Sequence, residues 1–155
     1  CIVGHSYGGY AALAGVAMEP DVYRCAVSSA GVSDLRAMLD SEARTTGGRE
    51  SRNPTIRYWN RFMGAQGSTD ALLDERSPAH LVNAINDPVL LIHGRDDTVV
   101  PYRQSVIMRD AMRRADRPVE LITLDGEDHN LSYATTRLQM LQSTVAFLEE
   151  HNPPR

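Results

Sequence analysis

The sequence predicts an α/β fold in which a mainly parallel sheet carries helices on both faces. Three observations lead there. Short apolar runs alternate with helix-like stretches along the 155 residues, the order that builds parallel sheets. The run Val89-Leu90-Leu91-Ile92 is continuously apolar, as a strand buried on both faces must be. Toward the end, Ala134, Leu138, Leu141, Val145 and Leu148 recur at spacings of four and three, the period of an amphipathic helix.

The elements follow in order. Residues 1–3 read as the end of a strand, and residues 10–18, rich in alanine and stopping before Pro20, as a helix packed on it. Residues 25–29 form a second strand. Residues 33–78, with Thr45-Thr46-Gly47-Gly48, many charges and a helical piece over 56–63, are expected to form an insertion between strands. Residues 88–93 make a third strand, and Pro101, at a first-turn position, opens a helix over 102–115. Residues 119–124 are the fourth strand. The last helix is expected to turn its Ala134-to-Leu148 stripe inward and to end before Asn152-Pro153-Pro154, which cannot continue it. Cys1-Ile2-Val3-Gly4 has the character of the middle of a buried strand, so an upstream part of the domain is expected.

Composition excludes several chemistries. All sixteen cations are arginine, so the chain offers no Schiff-base amine, no Gly-Lys-Ser/Thr phosphate loop and no Ser-Lys dyad. A net charge of -4 argues against a nucleic-acid partner. Arg109, Arg113, Arg114 and Arg117 sit at helical spacing beside Asp110 and Asp116, the pattern of a solvated helix face. No run of about eighteen apolar residues exists, so no membrane span is expected. With 42% apolar residues the chain can form a core without staples. Cys1 and Cys25, in apolar surroundings, are expected to be small core residues rather than a disulfide or zinc pair.

Gly4-His5-Ser6-Tyr7-Gly8 matches Gly-x-Ser-x-Gly. That pattern belongs to a sharp strand-to-helix turn that exposes a serine, with glycines where side chains would clash. A strand-like Ile2-Val3 precedes it and a helix follows, so the Tyr7 backbone N–H would sit at a helix N-terminus able to hold an oxyanion. A base and an acid must follow in chain order. Among the five histidines, His5 adjoins the serine and is expected to point elsewhere, His80 lies in a polar stretch, His93 ends a strand, and His151 belongs to the tail. His129 alone occupies a loop after a strand and before the last helix. The acid should come from the loop after the third strand, where Asp96 and Asp97 both qualify. One of them would orient the imidazole and the other cap the helix near Pro101. Asp96, Asp97, Asp125, Glu127, Asp128 and His129 lack the spacing of a calcium loop or zinc motif, so neither metal nor cofactor is expected.

Four segments together resemble the catalytic domain of the prolyl oligopeptidase family of serine peptidases: Gly4-His5-Ser6-Tyr7-Gly8-Gly9-Tyr10, Ser77-Pro78, Leu91-Ile92-His93-Gly94-Arg95-Asp96-Asp97-Thr98-Val99-Val100-Pro101, and Gly126-Glu127-Asp128-His129. The resemblance implies the C-terminal half of an α/β-hydrolase fold, covering residues 1–155. It implies Ser6 as nucleophile, His129 as general base and acid, and Asp97, not Asp96, as orienting carboxylate. Tyr7 supplies one backbone oxyanion donor, and a tyrosine hydroxyl upstream of the nucleophile strand supplies the other. It also makes 33–78 a contributor to the substrate pocket, with Leu35, Met38, Trp59 and Phe62 as candidate lining residues.

The expected substrates are short peptides or acylated amino acids, cleaved through an acyl-enzyme. Family members usually carry an N-terminal β-propeller, so the missing N-terminal region is the expected partner, and these residues alone should show little activity. Two departures stand out. Asp128 replaces the glycine more common before the histidine, and Leu35 and Met38 replace aromatic residues, so a preference for proline is not expected. Within enzymes the alternative is a carboxylesterase. Outside them it is a non-catalytic module that retains the fold.

Overall fold

A computed structural model describes residues 1–47 and 53–153. Gly48 of the expected insertion and Pro154 beyond the last helix lie outside the described residues. Four strands, β1 (Ile2–His5), β2 (Ala26–Ser29), β3 (Val89–Gly94) and β4 (Val119–Leu124), pair in parallel in the order β1-β2-β3-β4. The helices are α1 (Tyr7–Met18), α2 (Leu35–Thr45), α3 (Pro54–Met63), α4 (Ala71–Glu75), α5 (Arg103–Arg114) and α6 (Ala134–His151).

Alternation along β3 divides the core. Val89 and Leu91 pack with Leu13 and Val16 of α1 and with Met108 and Met112 of α5. Leu90 and Ile92 point the other way, against Phe147 of α6 and Leu131 of the loop before it. Because successive strand side chains face opposite sides, an all-apolar β3 needs helices on both, and all six of its residues are buried.

Two sequence expectations are corrected here. The last helix is present and ends at His151, whose ring packs on Phe147, but its inward face is not the predicted stripe. Leu138, Leu141 and Val145 are 55%, 54% and 52% exposed, whereas Phe147 is buried and Met140 and Leu148 are partly so. The helix carries apolar residues on two faces, and the one holding the large aromatic ring fills the space above Leu90 and Ile92. Cys1 and Cys25 are joined as a disulfide. Parallel pairing of Ile2 with Ala26 sets the preceding residues side by side, with Cα atoms 4.6 Å apart, within the range a disulfide spans. A separation of 24 residues says nothing about that register.

Between β2 and β3 lie α2, α3, α4 and two short 3₁₀ turns at Pro78–His80 and Val82–Ala84. Buried polar groups fix this segment over the sheet edge. Ser33 N–H and Asp34 N–H both donate to the Gln104 side-chain oxygen, at 2.9 and 2.8 Å, and Ser33 Oγ donates to the Gln104 carbonyl at 2.6 Å. Ser77 Oγ accepts from Leu35 N–H and donates to the Leu73 carbonyl. Arg36 holds α4 through both oxygens of Asp74. Of the arginines expected on a solvated face, Arg109 of α5 pairs with Asp110, and Arg117, just beyond α5, donates to Asn86 Oδ1 and the Asn83 carbonyl.

Candidate active site

Ser6, Asp97 and His129 follow the C-terminal ends of β1, β3 and β4, the edge at which open parallel sheets bind ligands. Ser6 is the single residue between β1 and α1. Its φ of 56° and ψ of -121° lie in a region L-residues avoid, and its N–H continues the ladder to the Ser29 carbonyl at 2.9 Å.

The glycine requirement differs in detail from the one the pentapeptide suggested. A Cβ on Gly4 would fall on the Gly8 carbonyl, and one on Gly9 would press on Gly31 and Ser29, but one on Gly8 would meet nothing within 4 Å. The constraint is the passage of β1 against the first turn of α1 and of α1 over β2. It therefore falls on Gly4 and Gly9.

His129 links the other two residues. Its Nε2 is 2.9 Å from Ser6 Oγ and its Nδ1 is 2.7 Å from Asp97 Oδ2. An ionised carboxylate can only accept, so Nδ1 carries the hydrogen and Nε2 accepts from the serine hydroxyl. The Asp97 side chain is fully buried. Burial pushes its pKa up, but hydrogen bonds from His93, His129 and the Val100 and Val99 N–H groups outweigh that and hold it down to about 2. Asp96 is exposed, and its backbone N–H donates to the Glu127 carbonyl. The expected helix cap is corrected: Asp97 Oδ1 accepts from Val99 N–H and Val100 N–H at 2.8 Å each, which braces the turn ahead of α5, and the N-terminus of α5 itself carries no side-chain cap.

His5 bonds to Ser29 and not to Ser6, yet its ring stays beside the site. His5 is still the last residue of β1, so its side chain takes a place on the pleat beside Ser29, with Nδ1 3.2 Å from Ser29 Oγ. The His129 loop folds over that edge and brings the two rings to 5.1 Å. Burial and the neighbouring His129 lower the His5 pKa. His93, at the end of β3, is buried. Its Nε2 lies 2.9 Å from the Val100 carbonyl and 3.2 Å from Asp97 Oδ2, and its Nδ1 lies 2.7 Å from Ser105 Oγ.

Sequence reasoning missed Glu127 as an organiser. It is completely buried, and its carboxylate accepts from the backbone N–H groups of Asp128, Ser132 and Tyr133 and from Thr136 Oγ1. Burial raises its pKa, these bonds lower it, and the bonds prevail. The signal available was a glutamate inside a turn just before an uncapped helix. Asp128 turns its carboxylate to Asn130 N–H and to the N–H and hydroxyl of Ser132, bracing the turn that follows His129.

A cavity of about 260 Å³ opens beside Ser6 and includes Leu35, Met38, Trp59 and Phe62 in its wall. The sequence did not single out Val32, Glu42, Arg76 or Val99, which also line it. These residues come from β2's exit, α2, α4's end and the Asp97 loop, which only folding brings together. Phe62 stacks on Tyr58 and meets Tyr7 edge-on.

A parallel sheet with helices on both faces, a serine on a strained strand-to-helix turn, and a histidine and an aspartate on later strand ends define an α/β-hydrolase fold. Comparison with known proteins narrows the class. The profile described as "Prolyl oligopeptidase family" matches residues 1–153, and the chain belongs to that family. It is 28% identical to dipeptidyl aminopeptidase BIII of Pseudoxanthomonas mexicana over 96% of its length and 21% of the relative's. It is 24% identical to the human acylamino-acid-releasing enzyme over 97% and 20%. The chain thus spans about a fifth of the curated relatives it matches. Among solved structures, a puromycin-hydrolyzing peptidase of Mycobacterium tuberculosis superposes with TM-score 0.77 at 27% identity, covering 96% of this chain and 21% of that one. The acylaminoacyl peptidase of Pyrococcus horikoshii, at TM-score 0.79 and 19% identity over 97% of this chain and 23% of that one, shares the fold.

Proposed function

We propose that this chain supplies the nucleophile, base and orienting acid of a serine peptidase that cleaves short peptides or acylated amino acids. One observation carries the reading: a continuous hydrogen-bonded path from Ser6 Oγ through His129 to the buried Asp97 carboxylate. Ser6 attacks the substrate carbonyl while His129 Nε2 takes its proton. Asp97, ionised far below neutral pH, balances the imidazolium. The N–H groups of an α-helix's first turn lack intrahelical partners, so the Tyr7 N–H is available to the developing oxyanion. Such a donor typically contributes about 10²- to 10³-fold in rate. His129 then protonates the leaving group, and water releases the acyl group from Ser6.

The names of relatives that act on dipeptidyl and acylaminoacyl substrates support the peptidase assignment over an esterase. We also read residues 1–155 as the C-terminal part of a larger catalytic domain, with 33–78 as an insertion over the pocket. The outer edge of β1 is unpaired among the described residues, and Val3 is 51% exposed there. Both features suit continuation of the sheet by further strands, with the second oxyanion donor supplied from upstream.

A fluorophosphonate probe tests the machinery. It is expected to label Ser6 in the intact protein that contains this sequence and to spare S6A. Absence of labelling beside a reactive control hydrolase would sink the catalytic reading. Turnover of a peptide anilide at a rate comparable to a p-nitrophenyl ester supports a peptidase, whereas ester turnover alone assigns an esterase.

A further inference from the structure

Helix α2 presents Leu35, Met38 and Glu42 to the cavity beside Ser6. Spacings of three and four put them on one helix face, and seven residues of rise set Glu42 about 10 Å along the axis from Leu35. Leu35 and Met38 are buried, and Val32, Trp59, Phe62 and Met63 continue an apolar wall. Glu42 therefore places a half-buried carboxylate on a mostly apolar lining.

That carboxylate has no hydrogen bond or ion pair to another described residue; only the Glu42 backbone carbonyl is engaged, by Thr46. An anion on an apolar wall is costly until an opposite charge joins it. The one cation among the described lining residues, Arg76, is committed elsewhere. It donates to the Met63 carbonyl at 3.2 Å, at the C-terminal end of α3, where the helix dipole favours positive charge. The complement of such a cavity is an apolar stem ending in a cation, the form of arginine and lysine side chains.

We propose that Glu42 is a specificity-determining residue that selects substrates with a basic side chain immediately before the scissile bond. This rests on the reading of Ser6 as nucleophile and of the adjoining cavity as the receptor for that side chain. Arginine is the better ligand of the two, because its fork can engage both carboxylate oxygens.

The test compares N-acetyl-arginine with N-acetyl-citrulline, a neutral near-isostere, as p-nitroanilides and as p-nitrophenyl esters on the intact protein. The expected kcat/KM ratio is about tenfold to a hundredfold in favour of arginine, the range of a charge-assisted hydrogen bond. In E42Q the ratio is expected to fall toward one, and fluorophosphonate labelling of Ser6 reports that the variant is folded. A wild-type ratio near one, a ratio unchanged in E42Q, or an E42Q effect that follows a free substrate α-amine instead of the side chain would each overturn the proposal. Should E42Q not fold, a wild-type ratio that stays high in 1 M salt would also count against it. If anilides are not cleaved but esters are, the peptidase reading fails while the ester ratio still decides the role of Glu42. Failure to label Ser6 in the wild type overturns both.

Discussion

Asp97 Oδ2 lies 2.7 Å from His129 Nδ1 and also 3.2 Å from His93 Nε2, while Oδ1 accepts two backbone N–H groups. The carboxylate is therefore held from three directions besides the imidazole it orients. The Asp97 loop is built as a rigid seat, with His93 in turn fixed by Ser105.

Replacing this carboxylate with an amide should leave the loop's shape intact while removing the charge that opposes the imidazolium and selects the Nδ1–H tautomer. D97N is expected to lower kcat by about 10⁴-fold. Steady-state turnover and the rate of fluorophosphonate labelling should fall together. A loss below about tenfold would show that Asp97 does not orient His129.

The same hydrogen bonds make stability depend on acid. Asp97 titrates at about 2 in the folded chain, against about 3.9 when exposed. Its stabilisation is complete above the unfolded value and drains away as pH falls from about 4 to about 2. Glu127, also held below its ordinary value, acts in the same sense. Urea midpoints should decline across that window, and the gap between wild type and D97N should close there. A gap that stays constant down to pH 2.5 would contradict the assignment.

Gly4 and Gly8 should respond oppositely to a methyl group. Gly4→Ala drives a Cβ into the Gly8 backbone and should cost about 3 kcal/mol or abolish soluble expression. Gly8→Ala meets open space within α1 and should be neutral or stabilise by up to about 1 kcal/mol. Thermal denaturation of both variants reads the difference, and equal effects would be inconsistent with the observed turn.

Reduction of the Cys1–Cys25 disulfide, or C25S, should destabilise the β1–β2 pair from the end opposite Ser6. For a bridge closing a separation of 24 residues, the loss is expected to be about 3 kcal/mol. A urea midpoint indifferent to reductant would argue that the two thiols remain free.

Much of this was legible beforehand. The four strands, the helix after Ser6, the Pro101 turn and the His129 loop announce themselves through local periodicity and turn residues. The chain order of the motif pointed to Ser6, His129 and either Asp96 or Asp97, the family resemblance chose Asp97, and His129 bonds to Ser6 at 2.9 Å and to Asp97 at 2.7 Å. What stayed hidden depends on register and packing. The disulfide needed the β1–β2 alignment. The choice of inward face on α6 depended on where Phe147 could fit above β3, and the turn of His5 toward His129 on which side of the sheet edge its strand position faced. Glu127 looked like one acid among several until burial distinguished it.

By itself, then, the sequence determined the α/β layering and proposed Ser6, Asp97 and His129 as the candidate set, the first through short-range patterns and the second through residue types with few substitutes and the family resemblance. The tertiary structure alone decided that Asp97 is shared by two histidines, that Gly4 and Gly9 rather than Gly8 bear the steric constraint, and that Glu42 looks into the cavity beside Ser6. Each of those facts depends on how the backbone is packed in space, as where Gly9 meets Gly31 and α2 comes to lie beside Ser6, and no local pattern encodes it.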